Sequence, residues 1–174
     1  MINLNQEWIK PKKPIPIVIF GAGSIANDAH LPAYKKSGFK VLGIYDPDIE
    51  KAQNLATKFN LDIFHSLEEA IDQENVIFDL ATPPEVHIEI LKFLPEKSGV
   101  LIQKPMGSNL DEATKILEIC NTRSLKAAVN FQLRFAPMMI ALKDAINSGL
   151  LGTIVDFDAW LALDTPWSLW KFLE

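Results

Sequence analysis

Three small residues at fixed spacing carry the strongest chemical signal in this chain. Gly21-Ala22-Gly23-Ser24-Ile25-Ala26 has the form G-x-G-x-x-A and directly follows the apolar run Ile15-Pro16-Ile17-Val18-Ile19-Phe20. A turn of this form suits a diphosphate. Gly21 lets the chain bend off a strand end, Gly23 puts no Cβ between backbone and phosphate, and Ala26 keeps the following helix near the sheet. The unbonded N–H groups that open such a helix carry partial positive charge and would face the anion. Asp46 follows Ala26 by ~20 residues, the spacing at which a carboxylate meets the ribose hydroxyls of an adenosine. A 2′-phosphate would be repelled there, so the pattern predicts NAD(H) over NADP(H). Lys51 is the nearest downstream cation and is expected on a helix surface. A bare glycine turn also serves as a tight strand-to-helix corner, and FAD or another adenosine-bearing ligand fits the same turn.

Other polar groups fall at predicted strand ends. Ala81-Thr82-Pro83-Pro84 closes one apolar run, with His87 just beyond it. His87 reads either as a group bordering a ligand or as an exposed or capping histidine. Gln103-Lys104-Pro105 closes another run, where Lys104 could move a proton or hold a substrate hydroxyl. The same lysine reads equally as a surface residue after a strand that Pro105 stops. Arg134, in Asn130-Phe131-Gln132-Leu133-Arg134-Phe135, either meets a carboxylate or caps the next helix. Cys120 lies in an apolar helical stretch and reads as a buried structural thiol.

These residues need a scaffold, and the apolar runs supply one. They alternate with helical patterns in β-α-β order, which predicts an α/β fold with a parallel sheet covered on both faces. Strands are expected at residues 15–20, 39–46, 63–64, 76–81, 99–103 and 126–130. Helices are expected after the glycine turn until Pro32 interrupts, then at 48–59, 67–71, from Pro84 to about Leu94, and from Asn109 or Asp111 to Cys120. The rhythm then changes. Pro137 to Ser148 reads as a helix ended by Gly149, and Thr153 to Leu163 alternates like a half-buried antiparallel strand. The division that follows is a flexible tail at 1–14, a nucleotide-binding domain at 15–130, and at 131–174 the opening of a second, α+β domain. Trp167, Trp170 and Phe172 close the chain. One strand beside exposed aromatics is not a stable sheet, so the sequence reads as a truncated piece or as one that needs a partner.

Composition narrows the function classes. The chain has 174 residues, 48% apolar and 22% charged, with a formal net charge of −5. That balance argues against nucleic acid or an anionic membrane as a partner. No apolar stretch approaches the roughly 20 residues of a membrane span. A lone cysteine forms no internal disulfide, and no metal-type spacing occurs, so no metal site is expected and a reducing, cytoplasmic setting is.

Taken in order, the glycine turn, His30-Leu31-Pro32-Ala33, Asp46, Thr82-Pro83 with His87, Lys104-Pro105, and Asn130 with Arg134 and Pro137 resemble the glucose–fructose oxidoreductase / inositol dehydrogenase (Gfo/Idh/MocA) family. The resemblance spans about residues 15–163. It implies a Rossmann-type domain followed by an α+β domain with a large open sheet, through which the complete protein would form a homo-oligomer. It also implies pyridine-nucleotide oxidoreduction of sugars, cyclitols or related small molecules. By that resemblance Lys104 is the catalytic lysine near the nicotinamide, and Pro105 follows a cis peptide that aims it. The implied cofactor-binding set is Gly21, Ala22, Gly23, Ser24, Ile25, Ala26, Asp46, Ala81, Thr82, Pro83, His87, Gln103, Lys104 and Arg134. Two departures stand out. The family's usual glutamate before the lysine is Gln103 here, and its later acidic residue and histidine have no counterpart before Glu174. These departures support an alternative, a non-catalytic nucleotide-binding sensor or assembly subunit. An adenosine-binding transferase would leave Lys104-Pro105 unexplained.

Overall fold

The computed structural model describes residues 2–162. They fall into two compact units, residues 8–135 and residues 136–162 together with 2–7.

The larger unit is a six-stranded sheet: β1 (Ile17–Phe20), β2 (Val41–Tyr45), β3 (Asp62–Ile63), β4 (Ile77–Leu80), β5 (Gly99–Ile102) and β6 (Lys126–Val129). The spatial order is β3-β2-β1-β4-β5-β6, and every pairing is parallel. The order reverses between β1 and β4. In an open parallel sheet that reversal leaves a crevice at the carboxyl ends of the strands.

Strand side chains alternate between two apolar layers. Val18, Phe20, Phe78, Leu80, Val100 and Ile102 face α3 (Leu67–Ile71), α4 (His87–Phe93) and α5 (Leu110–Thr122) through Ala70, Leu91, Ile116 and Cys120. Ile17, Ile19 and Ile44 face the other layer, built from Leu31 of α1 (Leu31–Ser37) and Ala52, Leu55 and Ala56 of α2 (Ile49–Phe59). Helix starts follow the side chains that can cap them. Asp48, Ser66 and Asn109 accept N–H bonds from Lys51, Glu69 and Glu112 at the heads of α2, α3 and α5. Asn109, rather than Asp111, is therefore the start of α5.

Two expectations need correcting. Pro32 does not interrupt its helix. A π-turn at Ala26–His30 precedes α1, with Leu31 N–H bonded to Ala26 O, and Pro32 sits in the first turn of α1. A proline there gives up an N–H that the widened turn does not need. Within the sheet unit, Trp8 packs edge-on against Phe135 with ring centroids 5.3 Å apart. Finally, residues 153–162 form no strand and are exposed. A ladder needs a partner, and no described residue pairs with this segment. Leu163, Trp167, Trp170 and Phe172 lie outside the described residues.

In the second unit, α6 (Pro137–Asn147) ends where Gly149 takes φ +72°, and Asn5 N–H donates to Asp144 Oδ2 at 2.9 Å.

Candidate active site

The glycine turn lies at the carboxyl end of β1, beside the switch between β1 and β4. Its two glycines meet different surroundings. Gly21 has φ +99°, and a Cβ on it would lie 2.5 Å from Ala81 O and 3.1 Å from Thr82 Cγ2. Only glycine fits between that conformation and the end of β4. A Cβ on Gly23 would meet nothing within 4 Å. Gly23 is exposed, so the space that a side chain would fill is open to a ligand. Helical structure begins at Ser24, and the first-turn bond runs from Asn27 N–H to Gly23 O at 3.1 Å. The amides ahead of Asn27 are the orphan donors of a helix start. Ala26 is fully buried against the sheet. A recess of about 300 Å³ beside the turn is lined by Ala22, Gly23, Ser24, Asn27, Lys51 and Lys58, among others. These features fit a dinucleotide diphosphate.

Asp46 stands at the end of β2, half-buried, with both carboxylate oxygens engaged. Oδ2 accepts the Ala22 N–H at 2.7 Å and Oδ1 accepts the Asp48 N–H at 2.8 Å. The carboxylate therefore pins the glycine turn to the tip of β2. Each oxygen keeps a lone pair for a ribose hydroxyl. Lys51 lies on the exposed side of α2 and pairs with Asp48 at 2.9 Å, which lowers the Asp48 carboxyl below its ordinary range.

The β4 and β5 ends bring the remaining groups together. Ala81 is buried, Thr82 half-buried and Pro83 exposed. His87 is fully buried, which overturns its reading as an exposed histidine. Its Nε2 lies 3.1 Å from Thr82 O and its Nδ1 3.1 Å from Met106 O. The ring thus ties the loop after β4 to the loop after β5. Lys104 is exposed at the end of β5, and the Lys104–Pro105 peptide is cis, as the resemblance implied. Gln103 is buried, with its oxygen on the Lys104 N–H at 2.7 Å. Arg134 is exposed in the 3₁₀ turn Gln132–Phe135, which belongs to the sheet unit. Among the described residues no cluster of His, Cys, Asp or Glu could hold a metal ion. No helix of the described residues is long and apolar enough to cross a membrane.

The profile of the Gfo/Idh/MocA oxidoreductase family, described as an NAD-binding Rossmann fold, matches residues 15–131. The chain belongs to the Gfo/Idh/MocA family. Its relatives include glucose-6-phosphate 3-dehydrogenase of Bacillus subtilis, 30% identical over 80% of this chain and 40% of that protein. Inositol 2-dehydrogenase of Rubrobacter xylanophilus is 26% identical over 84% of this chain and 43% of its own length. The crystal structure of the MviM dehydrogenase from Clostridium difficile superposes with a TM-score of 0.66 at 29% identity, covering 78% of this chain and 44% of that one. The chain thus spans less than half the length of these Gfo/Idh/MocA relatives.

Motif reading missed Asp79, and it took His30 only as part of a segment. Both are buried, and His30 Nδ1 lies 2.7 Å from Asp79 Oδ2. The available signal was Asp79 itself, an acid inside the otherwise apolar strand β4. Burying a lone carboxylate is so costly that its position demands partners. A second cavity of about 1080 Å³, lined by Ile15, Val76, Ser98, Gly99 and Lys126 among others, lies at the opposite, amino ends of the strands and shares no residue with the glycine turn.

Proposed function

We propose that this chain forms the cofactor-binding part of an NAD(H)-dependent dehydrogenase acting on a hydroxyl or carbonyl carbon of a sugar, cyclitol or related small molecule. The carrying observation is the glycine turn, closed against Ala81 at Gly21 and open at Gly23. When bound, the nicotinamide would accept or return a hydride at C4. In this reading Gly23, Ser24 and Ile25 offer main-chain N–H groups to the diphosphate, and Asp46 offers its free lone pairs to the adenosine ribose. Ala22, Ala26, Ala81, Thr82, Pro83 and Gln103 shape the crevice, and Arg134 borders it. Lys104 holds the substrate hydroxyl and takes its proton. The names of the relatives, glucose-6-phosphate 3-dehydrogenase and inositol 2-dehydrogenase, support a polyhydroxylated substrate. The same reading places the protein in the cytoplasm, with Cys120 a free buried thiol. It also has the whole protein assembling as a homo-oligomer through its second domain.

Titration with NADH and NADPH tests the cofactor assignment. Wild type should bind NADH more tightly. Asp46→Asn removes the charge while keeping a polar acceptor for the turn, and should narrow the preference about tenfold. An unchanged preference contradicts the role of Asp46. Absorbance assays of the full-length protein on a polyol panel test the chemistry. NADH binding without turnover of any polyol would favour the sensor reading.

A further inference from the structure

Five polar side chains from five segments meet beside the Lys104 backbone: His30, Tyr34, Asp79, Gln103 and Asn130. The direction of each hydrogen bond follows from its neighbour. The Lys104 N–H can only donate, so the Gln103 atom 2.7 Å from it is the carboxamide oxygen. The Gln103 Nε2 then faces His30 Nε2 at 3.0 Å. Asn130 Nδ2 approaches the same ring nitrogen at 3.1 Å. Carboxamide nitrogens only donate, so His30 Nε2 must accept. The ring proton therefore sits on Nδ1 and is donated to Asp79 Oδ2 at 2.7 Å. Tyr34 O–H donates to the same oxygen at 2.8 Å. Asp79, His30 and Gln103 are 0%, 6% and 6% exposed, so these three are sealed from bulk water, while Tyr34 and Asn130 at the edges are half-buried.

We propose that His30 is a positioning residue for Lys104: a neutral imidazole, protonated on Nδ1, that links the buried Asp79 carboxylate through the Gln103 carboxamide to the Lys104 main chain. This rests on the role given to Lys104 above. Gln103 is what makes the link neutral. A glutamate at 103 would accept from Lys104 N–H and offer His30 a second acceptor, so the ring would hold protons on both nitrogens. The groups facing His30 are Asp79 from β4, Tyr34 from α1, Gln103 after β5 and Asn130 after β6. Among these, Asp79 is the one carboxyl group.

Side-chain ¹⁵N NMR of the 174-residue chain, free of ligand, tests the protonation directly. His30 should show a protonated Nδ1 and a bare Nε2. Gln103→Glu should give a doubly protonated ring at neutral pH. A wild-type ring protonated on Nε2 or on both nitrogens overturns the proposal, even if no variant folds. Amide exchange tests the positioning. Gln103→Met should speed exchange at Lys104 N–H about tenfold. Exchange at the residue 103 N–H, held by Leu80 O at 3.1 Å, should not change. Equal rates at Lys104 in wild type and variant overturn it. In the full-length enzyme Gln103→Met should lower kcat about tenfold, and an unaltered kcat overturns the positioning role. An inactive wild type would instead overturn the dehydrogenase reading, while the NMR and exchange results still decide the network.

Discussion

At Gly21 a methyl group would land 2.5 Å from the Ala81 carbonyl oxygen, in a conformation that already has φ +99°. Neither the strand end nor the backbone can yield cheaply. Gly21→Ala should therefore cost about 3 kcal/mol of stability, read from urea unfolding. A loss below about 1 kcal/mol would mean that the turn can move away from β4. Tyr34 gives a second residue-scale prediction. Burial pushes its phenol well above the ordinary value of 10.0, and the Asp79 charge and the hydrogen bond to Asp79 push the same way. A group whose folded value is raised contributes stability that is fully present below its unfolded value and is lost as pH rises above it. Wild type should thus lose stability above pH 10.0 more steeply than Tyr34→Phe. Parallel pH profiles would show that Tyr34 ionises freely in the folded chain.

Among the elements, α5 begins where Asn109 accepts the Glu112 N–H at 2.9 Å, and it buries Ile116 and Cys120 against the sheet. Asn109→Ala should cost about 1 kcal/mol by urea titration with an unchanged m-value; no change would place the helix start elsewhere. The strands and most helices were legible because their apolar periods and caps are local. The glycine turn and Asp46 were legible because their spacing is set by one β-α-β unit. The His30 network was not. Its members lie 49, 73 and 100 residues apart in the pairs that bond, and no local pattern announces such pairs. The burial of His87 was not legible for a related reason, since its partners are carbonyl groups of two separate loops. The alternation from Thr153 to Leu163 showed the limit of periodicity. It marks which residues would share a face, and it forms no ladder without a partner.

For the whole molecule, the sheet order decides where chemistry can happen. The reversal between β1 and β4 opens the carboxyl ends, and Gly23, Asp46, Thr82 and Lys104 come from four strand ends on that side. Cofactor binding depends on one placement, a dinucleotide diphosphate against the amides that follow Gly23. Gly23→Ala isolates it, because the added methyl meets no protein atom within 4 Å. The decisive measurement is a fluorescence titration with NADH of wild type and Gly23→Ala, with thermal unfolding of both in parallel. Unfolding temperatures without ligand should be equal, and NADH binding should be at least about tenfold weaker in the variant. Equal affinity in the two proteins, or no saturable binding by wild type, would contradict it.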